Sequence, residues 1–387
     1  VGFLRDLVIK NNEKNLYFLN KKLRCLKIIN KQMQENFKIF DDNLLLFESM
    51  LSDIRKSKQS VWIEIFRFNK DAMGEKFRSL LLEKLKEGIE VKLLVDAWGT
   101  GRDKTFFEPL IKEGAEVRIY RKMKFGKAFL AKNHCRNHRK LVIIDSEIAY
   151  IGSSNISAYC LNWRELNVRI KDEDLLAIFR RSFKDSYRSF ERYSFKNIGS
   201  KRHLHSGEWV FIQDFPNIYR QKIKTKYERM ISKAKSEIII ETPYFLPGHN
   251  LRKHLCEAVQ RGVNTIVVMP IHSDVKFVDI IRRHYLGILH QAGVKIYFYT
   301  QSNLHSKGLM IDNQIFSISS ANFDYRSFRY QYELALIGTE STMLPQLRQH
   351  FDSTLKHCIS FDYQEWKKRS FFQRLSEVIL LPFRYLF

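Results

Sequence analysis

From Val61 onward the apolar positions follow two rhythms in turn. Val61-Trp62-Ile63-Glu64-Ile65-Phe66 reads as a strand, and Met73 to Lys86 carries its apolar groups at helical spacing and ends at Gly88. Val91 to Asp96 reads as a second strand, Phe106 to Lys112 as a helix ended by Gly114, and Glu116 to Tyr120 as a third strand. The same order then returns: strand Glu237 to Glu241, helix Leu251 to Val259 ended by Gly262, strand Asn264 to Met269, helix Phe277 to Gln291 ended by Gly293, strand Val294 to Tyr299. The pattern predicts an α/β protein of two related lobes.

A shorter stretch repeats more closely. His138-Arg139-Lys140-Leu141-Val142-Ile143-Ile144-Asp145 returns 167 positions later (305 − 138) as His305-Ser306-Lys307-Gly308-Leu309-Met310-Ile311-Asp312. The ungapped match continues through Ser153 with Ser320 and Asn155 with Asn322. A repeat of this kind signals duplicated structural units. On a strand, residues two apart share a face, so each His projects beside its Lys.

Paired imidazoles suit displacement at phosphorus, one attacking as a neutral nucleophile and the other protonating the leaving alkoxide. Lys140 and Lys307, the amides of Asn155 and Asn322 and the hydroxyls of Ser153 and Ser320 can surround the nonbridging oxygens with donors. Glu165 lies 27 residues after His138 and Glu333 lies 28 after His305 (165 − 138, 333 − 305), and they are the candidates to fix imidazole orientation. Asp145 and Asp312 complete the six motif residues taken as catalytic. Their odd offset from the His predicts support of the site rather than reaction.

Charge and cysteines narrow the partners. A formal charge of +24 over 387 residues calls for a polyanion, either an anionic membrane surface or nucleic acid. Five scattered cysteines point to free thiols, a reducing compartment and the cytoplasm. No run of about 18 apolar residues offers a membrane span. His134, Cys135 and His138 lack a fourth ligand at zinc-site spacing, so neither a metal nor a cofactor is expected.

The expected divisions are a basic helical arm over residues 1–55, lobes over 56–200 and 201–360, and a basic aromatic tail over 361–387. The arm reads as a solvated helical segment, with a membrane-surface segment as its alternative. In the tail, cations alternate with large aromatics, which suits either a lipid interface or packing on a lobe. The basic loop Lys122 to Lys132 leads into His138 and is a candidate lid. His203, His205 and Trp209 read as linker and strand-start residues.

The paired His-x-Lys-x4-Asp motifs resemble those of the phospholipase D superfamily, and within it the chain is most similar to bacterial cardiolipin synthases. The residues that carry the likeness are Arg136-Asn137-His138-Arg139-Lys140, Trp163-Arg164-Glu165, Glu241-Thr242-Pro243-Tyr244-Phe245-Leu246-Pro247, and Ser320-Ala321-Asn322-Phe323-Asp324-Tyr325-Arg326-Ser327-Phe328. The resemblance implies two phospholipase D-like α/β/α sandwich lobes with pseudo-twofold symmetry and an active site at their interface. It also implies metal-independent phosphatidyl transfer between phosphatidylglycerol molecules through a phosphohistidine, with His138 the nucleophile and His305 the acid and base. A phospholipase D-type lipid hydrolase and a nuclease are the alternative activities. Glu165 stands where that family usually has Asp, and Ser153 and Ser319 stand at small Gly positions. The paired amino-terminal membrane helices of many cardiolipin synthases have no counterpart here. The expected site of action is therefore peripheral, on the cytoplasmic face of the cell membrane, unless an upstream anchor is missing.

Overall fold

Each lobe is built on one sheet, and the two sheets repeat a common plan. The computed structural model describes residues 36–101, 105–120, 134–189 and 203–386. The loop 122–132, most of the arm 1–55 and part of the connection between lobes therefore lie outside the described residues.

The strands of the first half are β1 (Phe37–Asp42), β2 (Ser60–Ile65), β3 (Glu90–Asp96), β4 (Glu116–Tyr120), β5 (Arg136–Asn137), β6 (Lys140–Ile144), β7 (Ile148–Gly152) and β8 (Arg164–Ile170). Seven of them form a sheet in the order β1-β8-β7-β6-β2-β3-β4. Its β2, β3 and β4 run parallel, and β6, β7, β8 and β1 continue it antiparallel.

The second half contributes β9 (His203–Ser206), β10 (Trp209–Asp214), β11 (Glu237–Glu241), β12 (Asn264–Pro270), β13 (Lys295–Tyr299), β14 (Gly308–Ile311), β15 (Ile315–Ser319), β16 (Gln331–Gly338) and β17 (Cys358–Ser360). Their order is β17-β13-β12-β11-β14-β15-β16-β10-β9, with β5 from the first half paired to β16. The register carries the repeat to single residues: Glu64 faces Leu141 across β2 and β6, and Glu241 faces Gly308 across β11 and β14.

The first lobe starts earlier than residue 56. Phe37 to Asp42 pairs antiparallel with β8, and the helix Asn43–Arg55 follows it with Leu46, Phe47 and Ile54 buried. This matches β10 and the helix Lys222–Lys233 in the second lobe. Phe37 and Phe40, three apart and so on opposite faces of the strand, bury in different apolar clusters, and the pattern FKIFDD shows no clean alternation that would announce a strand.

Three apolar clusters hold the molecule. One lies between β2 and the helices Asn43–Arg55 and Ala72–Lys86, and another between β11 and the helices Lys222–Lys233, His249–Gln260 and Lys276–Gln291. The third joins the inner faces of both sheets, with Leu141, Leu166 and Val168 of one lobe beside Met310, Leu334 and Leu336 of the other. Burying these aliphatic side chains, at about 1.5 to 3 kcal/mol each, fixes the lobes to one another. A site between them inherits that rigidity.

Candidate active site

Each motif His is delivered by one lobe and held by the other. The segment before His138 pairs in parallel with β16, Gln331 with Arg136 and Tyr332 with Asn137, and the His138 amide donates to the Tyr332 carbonyl at 3.0 Å. On the other side Arg164 and Leu304 form a parallel bridge, and the His305 amide donates to the Arg164 carbonyl at 2.7 Å. Tyr332 and Arg164 each precede a glutamate, so this pairing carries Glu333 to His138 and Glu165 to His305. Nδ1 of His138 lies 3.0 Å from the Glu333 carboxylate, and Nδ1 of His305 lies 2.8 Å from that of Glu165. Spacing along the chain suggests that each Glu serves the His it follows. The structure crosses them instead.

Both rings line a cavity of ≈ 190 Å³ together with Phe66, Arg67, Trp98, Asn155, Trp163 and Arg326. The Phe66 ring stands 5.0 Å from that of His138 and the Trp163 ring 5.1 Å from that of His305, an aromatic wall behind each imidazole. Lys140 Nζ donates to the His138 carbonyl at 2.7 Å and Lys307 Nζ to that of His305 at 2.5 Å. Burial, with the opposing cation nearby, brings Lys140 down to about 7, and burial brings Lys307 to about 8, against the pull of Glu165 and Glu333. These groups are desolvated, and among the described residues neither has a carboxylate within ion-pair distance, so an incoming anion gains strongly from them.

The two His–Glu pairs differ in charge. Burial, then Lys140, Lys307 and His305, hold His138 well below its usual range, and burial lifts Glu333 to about 8 against the pull of Lys140 and Ser320. On the other side burial works against the Glu165 charge, but His305 and Lys307 outweigh it and keep that carboxyl below its ordinary value. His305 is lowered by burial, with Glu165 opposing. A neutral His138 with its proton on Nδ1 would leave the Nε2 lone pair for the cleft. An ionised Glu165 opposes that lowering and faces Nδ1 of His305, which leaves Nε2 of this ring toward the cleft as well.

The remaining sequence candidates divide. Asn155 and Asn322 line the cavity, and Asn322 Oδ1 is buried without a partner. Ser153 and Ser320 stand behind the carboxylates rather than in the cleft: Ser320 Oγ donates to Glu333 at 2.5 Å, and Ser153 Oγ exchanges bonds with the Leu166 backbone beside Glu165. Just past the ends of β7 and β15, these hydroxyls face the carboxyl groups that hold the imidazoles, which suits the orienting role rather than contact with phosphate oxygens. Asp145 and Asp312 sit at the far ends of β6 and β14, with φ of 53° and 55°, each followed by a second residue of positive φ. That conformation marks tight hairpin turns that favour Asp and Asn. Asp145 accepts from the amides of Lys58, Gln59 and Ser60, and Asp312 from those of Lys235, Ser236 and Glu237. They pin the start of β2 and β11, and neither lines the cavity that holds the two imidazoles.

Several site residues escaped the sequence reading. Glu64 and Glu241 are wholly buried behind the motifs and are met differently, Glu64 by Asn137 at 2.9 Å and Arg139 at 3.8 Å, Glu241 by Ser306 at 2.5 Å and His350 at 2.8 Å. The charged pull of His350 outweighs burial and keeps Glu241 low, whereas burial raises Glu64. Arg67 and Arg326 line the cavity, and the Nε of each is buried without a hydrogen-bond partner among the described residues. Arg326 and Tyr244 lie within the family-like stretches, but nothing in their spacing marks them as facing a cleft. Among the described residues, no group of three or more His, Cys, Asp or Glu side chains is arranged to hold a metal ion.

Comparison with known proteins decides the family. The family described as "Cardiolipin synthase, PLD-like domain" matches residues 50–187 and 227–355. The chain belongs to that family. It is 32% identical over 361 residues to a cardiolipin synthase of Clostridium perfringens, covering 88% of this chain and 74% of the relative. It is 30% identical over 397 residues to the major cardiolipin synthase ClsA of Bacillus subtilis, covering 97% of this chain and 82% of that one. In three dimensions it resembles a phosphatidylserine synthase of Haemophilus influenzae, with a TM-score of 0.68 at 13% identity over 90% of this chain and 93% of the other. That likeness speaks for the two-lobed phospholipase D-like fold.

Proposed function

We propose that this chain transfers a phosphatidyl group from one phosphatidylglycerol to the hydroxyl of another, giving cardiolipin and glycerol. Nε2 of His138 attacks phosphorus, the bond to the glycerol oxygen breaks, and that oxygen takes a proton from Nε2 of His305. The acceptor hydroxyl then attacks the phosphohistidine, gives its proton to His305, and the phosphorus–nitrogen bond breaks. Lys140 and Lys307 balance the nonbridging oxygens throughout. The observation that carries this reading is the crossed pair of His–Glu contacts on one cavity, two imidazoles each held at Nδ1 by a carboxyl group of the other lobe, which is what an attacking and a protonating ring would need.

The acceptor itself bears a phosphodiester, a few bonds from its reacting hydroxyl. Arg67 and Arg326, each with an unpartnered buried Nε at the cavity, supply cations for that second phosphate, and this favours a phospholipid acceptor over water. The reading carries with it a peripheral place on an anionic membrane surface, which this chain's charge of +24 suits. Mass spectrometry of lipids after incubation with phosphatidylglycerol, beside a His138→Ala control, tests it. A dianionic four-chain product is expected from the parent and none from the variant. Product from both would remove His138 from the reaction, and phosphatidic acid alone would make the protein a hydrolase.

A further inference from the structure

The helix Phe371–Leu380 has its polarity reversed. Phe371, Phe372, Leu375, Val378 and Ile379 are exposed, by 73%, 79%, 40%, 58% and 57%, while its one carboxylate, Glu377, is buried against Arg369 at 2.5 Å. The 3-10 turn Leu381–Leu386 extends the same side with Phe383, 50% exposed. A helix with that outer face normally packs on something apolar.

The segment is firmly mounted. Trp366 Nε1 donates to the Arg283 carbonyl at 2.8 Å, and its ring lies so close to Gly287 that a Cβ there would come within 2.3 Å of it. The Arg369 guanidinium stacks 3.7 Å over Trp366 and ties Glu377 down. At the far end Tyr385 meets Tyr325 at 4.9 Å, with the Arg329 guanidinium over its ring at 4.8 Å.

That mounting places the patch beside the cleft. Tyr325 opens the short helix that brings Arg326 to the active-site cavity, and Val275 and Val278, at the start of the helix under Trp366, line the same cavity. Phe277, 54% exposed, stands outward between them. A cavity of ≈ 190 Å³ takes a phosphodiester head group but not two acyl chains, so lipid substrates must keep their chains outside its mouth.

We infer that the apolar outer face of residues 371–386, ringed by Lys367, Lys368, Arg374 and Arg384, lies in the interface of an anionic bilayer and sets the cleft mouth at head-group depth. The inference rests on the phosphatidyl-transfer reading for the need to reach lipid, and on geometry alone for the patch. Apolar side chains at the acyl boundary with cations on the head groups are the arrangement such a surface fits.

Co-sedimentation of the full chain with phosphatidylglycerol vesicles and with phosphatidylcholine vesicles tests it, alongside a Phe372→Glu, Ile379→Glu double variant. A thermal midpoint equal to the parent's shows that the variant is folded, as expected for two exposed side chains. The parent should bind the anionic vesicles, and the variant should bind them at least about tenfold more weakly. A Phe372→Trp variant should show a blue-shifted emission on anionic vesicles, quenched by brominated lipid. Equal binding by parent and double variant, or a parent dimer that the variant abolishes without any change in vesicle binding, would overturn the proposal. Because binding is read without turnover, a protein that binds but makes no four-chain lipid would instead refute the transferase reading.

Discussion

Glu333 sits 3.0 Å from Nδ1 of His138, although 195 residues separate them and they belong to different lobes. Neither half can therefore orient its own imidazole. A pseudo-twofold in which each lobe supplies the acid partner of the other makes the site a property of the interface alone. It also explains why so much aliphatic surface is committed to joining the sheets.

Replacing Glu333 with Gln should test this dependence directly. Once ionised, Glu333 can only accept from Nδ1, whereas the amide can donate to it and so stabilise the tautomer with Nε2 protonated, which cannot attack. We expect kcat to fall by about 10² to 10⁴ with little change in KM, as when a triad carboxylate is replaced by its amide. Single-turnover release of the head group measures the step. A loss below about tenfold would mean that His138 keeps its reactive tautomer without Glu333.

Asp145 and Asp312 should behave as structural residues. Each carboxylate accepts three backbone amides at the start of a parallel strand, so Asp312→Asn should cost about 1 to 3 kcal/mol of stability. Turnover per folded molecule should stay near the parent's. Although burial works against it, the amides of Glu237, Ser236 and Lys235 hold Asp312 below its ordinary value. Its contribution is therefore present above the unfolded pKa and is lost as the pH falls through the folded one. Denaturant midpoints at neutral and acid pH, set beside kcat for the soluble fraction, check both halves. A loss of kcat in fully folded protein would return Asp312 to the catalytic set.

Much of this was legible in the sequence, and the parts that were not share a cause. The parallel strands and their helices follow the apolar rhythm and the Gly stops closely, as Glu116–Tyr120 and Lys276–Gln291 illustrate. The period-2 reading of the motifs fits less well, because His138 and His305 stand ahead of β6 and β14 rather than in them, with each Lys turned back to its own His carbonyl. Phe37–Asp42 was missed because an edge strand of six residues, half of them charged or exposed, carries little periodic signal. The crossing of Glu165 and Glu333, the inward turn of Ser153 and Ser320, and the cleft-facing Arg67 and Arg326 depend on how two lobes dock. Docking is set by packing between residues far apart in the chain, and local pattern does not encode it.

The pH dependence should expose the buried lysines. In the free protein Lys140 loses its charge above about 7 and Lys307 above about 8, so affinity for a phosphodiester should weaken as the pH rises through that range. The basic limb of kcat/KM, which reports the free enzyme, should accordingly fall between about 7 and 8. Stability should move the other way. Both lysines titrate lower in the fold than near 10.5 in the unfolded chain, so their desolvation penalty fades as the pH climbs from about 7 toward that value. A Lys140→Met, Lys307→Met double variant, followed by thermal unfolding across pH 7 to 10, should lose that rise. An unchanged profile would assign it elsewhere.

Arg326 offers a way to separate transfer from hydrolysis. Its Nε is buried without a hydrogen-bond partner and it lines the cavity beside the Trp98 ring, 5.5 Å from the guanidinium. Water makes no use of a second cation, whereas an acceptor phospholipid brings a second phosphate to pair with it. A charge-assisted hydrogen bond of about 1.5 to 3 kcal/mol corresponds to about a 10- to 150-fold preference. Arg326→Met should thus lower the ratio of four-chain lipid to phosphatidic acid by at least about tenfold, with the first-step release of head group less affected. Arg326→Lys, which keeps the charge without the planar fork, should recover part of it. If both products fall together in Arg326→Met, the guanidinium acts on the step common to both, and the acceptor phosphate must be held by Arg67, which lines the same cavity, or not at all.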